Sequence, residues 1–418
     1  LSIDSSKYFV SYQEPFFLIT SSEELMNKSV LQLESNTNLL TNTTFSQLRL
    51  SASPSSNFHL FFQKKQLTGF LNNFFNEQFV SQISSSNEFL DWIELDLLLK
   101  PNSIMLSGLS ALSMDTLRPD YLPFQESISK QGDGQFPSNI SSLERHSIKD
   151  INSLLKSSRL SIEDIENKCN CQLDQELKKL LGNEVVKVCF KDNLRQLHEA
   201  VFVEELGSVN AFDLLKKVYN VDTSIVLSNG FEALVLSDLD FVNFFGFDLP
   251  DKNRYLILIE NYFVISSKEG LIKIIKDLSR NSNSKENSLY LRFSNQYLSS
   301  HTSKELFLSG ETMLKLLNAS IKQSMSLESM GLSSIFNKVD GLAVESSSLE
   351  QESRHHSFVM SIGQSNMEES KYLWLLDLDS ISIKPQLCKN HRTNTSEVLV
   401  QELNNKIHLI SANGRIKW

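Results

Sequence analysis

The chain has 418 residues, 40% of them hydrophobic and 22% charged, with a formal net charge of −10. That length exceeds what one ordinary core organises, so two or three domains are expected, and the composition is globular rather than disordered or fibrous. The acidic balance repels polyphosphate and sets general nucleic-acid binding aside, while only 14 Gly and 8 Pro disfavour glycine-rich phosphate loops and turn-dense all-β sandwiches.

The chain opens with two apolar runs, "YFVSYQ" (8–13) and "FFLITS" (16–21), that read as a strand pair. A helix follows at once. Thr20-x-x-Glu23 fits a capping box, in which the hydroxyl accepts from the N3 amide and the carboxylate accepts from the N-cap amide. Next come "FHLFFQ" (58–63) as a strand and "QLTGFLNNFFNEQF" (66–79) as a helix. Two alternating strands, "WIELDLLLK" (92–100) and "SIMLSGLSAL" (103–112), close the unit, and their pattern suits antiparallel pairing with one buried face.

A stretch rich in Gly, Pro and polar residues, "SKQGDGQFPSN" (129–139), reads as a junction. Beyond it lie predicted helices at 148–160, 172–182 and 210–218, and strands at 184–190, 198–206 and 231–239. Then "YLILIE" (255–260) and "YFVISS" (262–267) repeat the opening pair. Setting Phe17 on Phe263 gives a shift of 263 − 17 = 246, which places Phe16 on Tyr262, Ile19 on Ile265, Glu23 on Glu269 and Leu25 on Leu271. The same shift carries Leu60-Phe61-Phe62 onto Leu306-Phe307-Leu308, Phe70-Leu71-Asn72 onto Leu316-Leu317-Asn318, and Ile93 onto Val339. An internal duplication accounts for this register. Ser266-x-x-Glu269 repeats the capping box, so Glu23 and Glu269 read as caps rather than catalysts. Leu271, Ile274, Ile275 and Leu278 follow as a helical apolar stripe. "GLAVESS" (341–347) and "SFVMSIGQ" (357–364) close the second copy, with an insertion expected at 346–356. The fold class is therefore α+β: two related units of antiparallel sheet plus helices, then an all-β meander. The first copy occupies 1–128, the second and fuller copy 129–368, and the meander 369–418. The first copy lacks a counterpart to the elements ahead of residue 255, so the natural chain is expected to extend upstream of Leu1.

From about residue 370 the pattern shifts to short strands: "YLWLLDLD" (372–379), "SEVLVQEL" (396–403) and "NKIHLIS" (405–411), with Asn413-Gly414 as a type I′ hairpin signal. The stretch from Trp374 to Trp418, with "KPQLCKNHRTNTSEVLVQELNNKIHLISANGRIKW", resembles the opening blade of a pyrroloquinoline-quinone-type β-propeller. The duplicated region, with "FVISSKEGL", resembles an uncharacterised family of Bacteroidota cell-envelope proteins in which tandem α+β units precede propeller-like repeats. That resemblance implies export to the periplasm or outer membrane as a lipoprotein, and continuation past Trp418. It implies no activity, and no quinone-cofactor ligands can be matched, so no cofactor is expected.

Chemistry-bearing groups are sparse. Glu94/Asp96, Asp238/Asp240 and Asp377/Asp379 are carboxylate pairs; on a strand such i, i+2 residues share a face and suit a divalent cation or a substrate. Their blander readings are a helix cap for Asp238/Asp240 and solvated strand faces for the others. His355-His356 on a strand would point to opposite faces, whereas on a loop they could converge. Cys169-Asn170-Cys171 is closer than zinc-finger spacing, and the four cysteines allow three disulfide pairings that nothing selects among. The lysines and arginines near the C-terminus read as a solvated sheet face. No metal site, no nucleophile elbow and no phosphate loop is recognised, so the chain reads as non-enzymatic. Two Phe-rich runs stand out, and Phe70, Phe74, Phe75, Phe241, Phe244 and Phe245 are the candidate apolar interaction surface. The expected function is a scaffold or accessory subunit of an outer-membrane-associated complex with protein partners. The alternatives are a binder of an apolar ligand or exported polypeptide in a helix–sheet groove and, last, a hydrolase. No run is long and apolar enough to span a bilayer.

Overall fold

Strand-forming runs dominate the chain, and most of them join one sheet. The computed structural model describes residues 2–3, 6–35, 38–85, 90–112, 127–130, 133–148, 180–192, 194–207, 212–213, 216, 224–227, 230–236, 254–279, 288–350, 353–363, 378, 385–391, 395–402, 406–411 and 415–417. It divides into two compact units, Leu1–Gly363 and Gln364–Trp418.

In the first unit β1 (Ser2–Ile3) and β2 (Ser6–Lys7) make a short ladder. The hairpin β3 (Phe9–Gln13) and β4 (Phe16–Thr20) leads into α1 (Glu23–Glu34). Then come α2 (Thr43–Ser51), β5 (Phe58–Gln63), α3 (Lys64–Leu71), α4 (Glu77–Ser85), β6 (Trp92–Lys100) and β7 (Ser103–Ala111). After β8 (Ile128–Ser129) follow β9 (Ile140–Ser147), β10 (Leu181–Lys191), β11 (Leu197–Glu205), β12 (Ser224–Val226) and β13 (Glu232–Leu236). The hairpin β14 (Arg254–Ile259) and β15 (Tyr262–Ser266) precedes α5 (Lys268–Leu278), α6 (Leu289–Tyr297) and β16 (His301–Thr302). The unit ends with β17 (Lys304–Ser309), α7 (Gly310–Ser320), α8 (Ser333–Phe336), β18 (Val339–Glu350) and β19 (Ser353–Ile362).

Thirteen of these strands form one sheet in the order β12-β13-β14-β15-β11-β10-β9-β17-β18-β19-β7-β6-β5. Every pairing within it is antiparallel. Helices combine with this antiparallel sheet, so the architecture is α+β, and no closed barrel or propeller occurs among the described residues. The central strands carry near-continuous apolar runs because both of their faces are covered: all of β15, and Ala200 to Val203 of β11, are buried. The stripe on α5 lands as its spacing predicts, with Leu271, Ile274 and Ile275 in the core beside Val264 and Phe202. Each such side chain contributes about 1.5–3 kcal/mol through burial.

Residues 1–128 and 129–368 contribute to the same sheet, and their registers can be compared strand by strand. Phe58 of β5 faces Leu97 of β6, and Lys304 of β17 faces Ser346 of β18, giving offsets of 304 − 58 = 246 and 346 − 97 = 249. Leu97 faces Leu106 of β7 while Ser346 faces His356 of β19, an offset of 356 − 106 = 250. The gap-free register thus ends before β6. Three residues enter between β17 and Gly341 of β18, and one at the register shift between Ser348 and Glu350. The described residues of 346–356 pair as β18 with β19, much as 97–106 pair as β6 with β7, so the expected insertion reduces to that one residue, and His355 and His356 lie on strand β19.

Strands β7 and β19 meet edge to edge, with Ser107 opposite Ser357, its own counterpart. On the helical side Phe75 bridges Ile321, again 321 − 75 = 246 apart. There the Asn76 N–H donates to the Ser320 carbonyl at 2.8 Å and the Lys322 N–H donates to the Phe74 carbonyl at 3.0 Å. These two bonds exchange under the same offset, so a local two-fold relates β5–β6–β7 with α3 to β17–β18–β19 with α7.

Both capping boxes are displaced. The N-caps are Ser22, accepting from the Leu25 N–H at 3.2 Å, and Ser267, accepting from the Gly270 N–H at 3.1 Å. Thr20 and Ser266 are still extended as the last residues of β4 and β15, so the helices begin later than the motif suggests. Position N3 is then Leu25 or Gly270, and no carboxylate can reciprocate. Glu23 and Glu269 instead sit in the first turns, where the helix dipole favours acids.

In the second unit β20 (Gln386–Lys389), β21 (Ser396–Gln401) and β22 (Ile407–Ile410) form an antiparallel meander. Strand β20 has no sequence signal, because "QLCK" lacks clean alternation. The predicted strand at 372–379 and the Asn413-Gly414 turn lie outside the described residues, apart from Leu378.

Candidate functional site

The hairpins β3–β4 and β14–β15 have the same register, with Tyr12 opposite Phe17 and Leu258 opposite Phe263. Their surroundings differ. On β3–β4 one face, including Phe9, Ser11 and Leu18, is half-buried, and α1 lies against the hairpin. The other face presents Val10, Tyr12, Phe17 and Ile19, all exposed. Phe17 is 63% exposed, whereas its counterpart Phe263 is 0%. The edges differ in the same sense. Strand β15 is hydrogen-bonded along its outer edge to β11, with Val203 opposite Phe263 and Val201 opposite Ile265. Strand β4 pairs with β3 alone among the described residues. An apolar sheet face next to an open strand edge is a template for a further strand. Sequence alternation hid this, since the two copies are equally apolar and only the neighbours differ.

Of the six candidate phenylalanines, Phe241, Phe244 and Phe245 lie outside the described residues. Phe70 is exposed and its ring meets Phe74 at 5.3 Å, while Phe75 meets Phe79 at 4.8 Å. Phe74 and Phe75 belong to the segment that bridges the end of α7.

The carboxylate pair Glu94/Asp96 shares one face of β6, with His59 of the edge strand β5 directly opposite Asp96. Helix α2 lies over this face: Phe45 packs on Trp92 at 5.4 Å and on Phe61 at 5.2 Å. That cover explains why both acids are buried. Asp96 accepts from the Ser53 N–H at 2.7 Å and from Ser56 Oγ at 3.0 Å, and meets His59 Nδ1 at 2.6 Å. Glu94 keeps one oxygen, Oε1, buried with no hydrogen-bond partner. Desolvation first, then the neighbouring Asp96 charge, push its carboxyl up to about 7. The sequence named Glu94 and Asp96 and missed His59, which only strand pairing brings near. Asp238/Asp240 and Asp377/Asp379 lie outside the described residues. His355 and His356 point apart, to Ser107 Oγ at 3.0 Å and Ser110 Oγ at 2.8 Å.

A second polar group crosses the sheet centre. Arg145 of β9, fully enclosed, pairs with Asp133, with Glu184 Oε2 at 3.5 Å and with Glu305 Oε2 at 3.9 Å. Lys130 Nζ sits 2.7 Å from Glu305 and 2.7 Å from Glu345. Tyr290 donates to Glu305 at 2.9 Å and Tyr262 donates to Glu184. Burial drives both phenols above their ordinary range, and burial also raises Glu345. These ions join β9, β10, β17 and β18, a fastening role. A cleft of about 170 Å³ lies where β10 ends beside α5. Two of its charged groups pair with one another, Lys273 with Asp192 at 2.9 Å, which holds that carboxyl near 2, and Asp277 accepts from the Ser138 N–H at 2.6 Å.

No protein-family model and no curated protein matches the chain. Among solved structures, crystal form III of a protein designated TP0453 is similar at 13% identity and a TM-score of 0.29, covering 57% of this chain and 83% of that one. Crystal form I of TP0453 gives 11% identity and a TM-score of 0.28 over 57% and 82%. No described helix is long and apolar enough to cross a membrane.

Proposed function

We propose that this chain is a non-enzymatic scaffold or accessory subunit of a cell-envelope complex, which takes up an extended polypeptide segment on the hairpin β3–β4. One observation carries the reading: the same hairpin occurs twice, and the copy at β14–β15 is edged by a strand and enclosed while the copy at β3–β4 is open among the described residues. The internal comparison also describes the occupant. It adds antiparallel to β4 and alternates apolar residues toward Phe17 and Ile19, as Val203 and Val201 do toward Phe263 and Ile265. The two-fold arrangement of strands supports reading the halves as a duplicated unit, and the antiparallel meander β20–β21–β22 is the observation behind reading the tail as the opening blade of a propeller. The resemblance of the duplicated region to Bacteroidota cell-envelope proteins supports the periplasm or outer membrane as the location.

The test uses the full chain and a peptide of sequence LHEAVFVEE, the segment that forms β11. Amide hydrogen exchange should slow at Phe16–Thr20 on peptide addition, and Phe17→Lys should abolish the effect. Exchange at β4 unchanged by millimolar peptide would remove the strand-addition reading. A photo-crosslinking residue at position 17, used in native envelopes, then reports the physiological segment; recovery of the chain without an adduct, alongside unchanged exchange, would return the weight to an apolar small ligand.

A further inference from the structure

The two-fold places His59 where Glu305 stands, at an offset of 246, and Asp96 where Glu345 stands, at an offset of 249. The local hydrogen bonding matches. Asp96 accepts from the Ser53 N–H at 2.7 Å, and Glu345 accepts from the Ser299 N–H, also 246 residues on, at 3.0 Å. In the second half a cation completes the position, because the Lys130 ammonium lies between the two carboxylates at 2.7 Å from each. In the first half no Lys or Arg reaches Glu94 or Asp96 among the described residues, and His59 is the basic group present. Glu94 adds a carboxylate that the second half lacks, since Ala343 occupies its place. A buried carboxylate oxygen without a donor costs free energy that a cation recovers.

The geometry points to a divalent transition-metal site formed by His59, Glu94 and Asp96. One atom from each residue lies within 4.8 Å of the others, a spacing that an ion can close. An imidazole nitrogen with two carboxylate oxygens selects zinc-like ions over magnesium or calcium, which take oxygen alone. His59 is exposed on edge strand β5, giving the ion an entry path and leaving room for water as a further ligand. Glu94 and Asp96 are fixed by β6 and by the cover of α2, so two ligands are set before the ion arrives. Binding displaces any proton held between His59 Nδ1 and Asp96 Oδ1.

The experiment is a zinc titration of the chelator-treated full chain, followed by calorimetry and by long-range ¹H–¹⁵N spectra of the histidine rings. We expect one zinc per chain with release of a proton, movement of the His59 Nδ1 resonance, and at least a tenfold loss of affinity in His59→Gln and Glu94→Gln. The ring spectrum of the unaltered chain needs no variant and stands even if Glu94→Gln fails to fold. Unchanged His59 resonances at saturating zinc, or affinity equal to the parent in folded His59→Gln, would overturn the site.

Discussion

Phe263→Ala and Phe17→Ala remove the same ring from matching positions of two hairpins. At Phe263 the side chain has no exposed surface and lies opposite Val203 of β11. Truncation there removes the transfer free energy of the ring and leaves a cavity, a loss of about 3–5 kcal/mol. At Phe17 roughly a third of the side chain is covered, so the expected loss is below about 1 kcal/mol. Urea unfolding of the full chain, monitored by far-ultraviolet circular dichroism with slope and midpoint fitted separately, reads both. The midpoint should drop sharply for Phe263→Ala and barely for Phe17→Ala, with slopes unchanged. Adding the LHEAVFVEE peptide should then reveal Phe17→Ala as a binding defect. Equal destabilisation by the two substitutions would mean that the hairpin β3–β4 is enclosed like its counterpart, and the argument for a docking surface would fail.

Arg145→Met should cost about 3–5 kcal/mol, because it takes the guanidinium from buried Glu184 and leaves Glu305 with Lys130 alone; thermal unfolding measures it. Ser267→Ala removes the cap of α5 and should cost about 1 kcal/mol in the same assay. Gly310→Ala would drive a methyl group into the Val339 carbonyl, so the expected result is a clear fall in midpoint, where a neutral outcome would place α7 farther from β18. The Glu94 carboxyl titrates higher in the folded than in the unfolded chain, so its protonated form favours folding. That contribution is complete below about pH 4.5 and is lost as pH rises through about 7; chelator-treated protein should melt lower at pH 8 than at pH 5, and Glu94→Gln should flatten the difference.

Much of the local structure was legible because it depends on near neighbours. The hairpins around Glu14-Pro15 and Glu260-Asn261, and the stripe Leu271, Ile274, Ile275, follow from period-2 and period-3.6 patterning. The caps shifted because a strand can continue through a hydroxyl residue, and Thr20 and Ser266 stayed extended until Ser22 and Ser267 took the helix ends. What the sequence concealed was lateral. Arg145 meets Glu305 only because β9 lies beside β17, and His59 meets Asp96 only through the β5–β6 register. The openness of Phe17 was equally hidden, since it depends on a missing neighbour and not on the residue itself.

The junction of β7 with β19 also imposes an order on synthesis. Ala111 pairs with Ser353, so 352 − 111 = 241 residues must be made after the last residue of β7 before its partner strand even begins. At the usual pace of about 5–20 residues per second, that is on the order of 10–50 seconds during which β5, β6 and β7 exist with a bare seam. The nascent first half is thus at risk from its own kind, since neighbouring ribosomes on one message present identical seams. An unpaired β7 edge is the feature that a holding chaperone, or temporary pairing elsewhere, would protect during production.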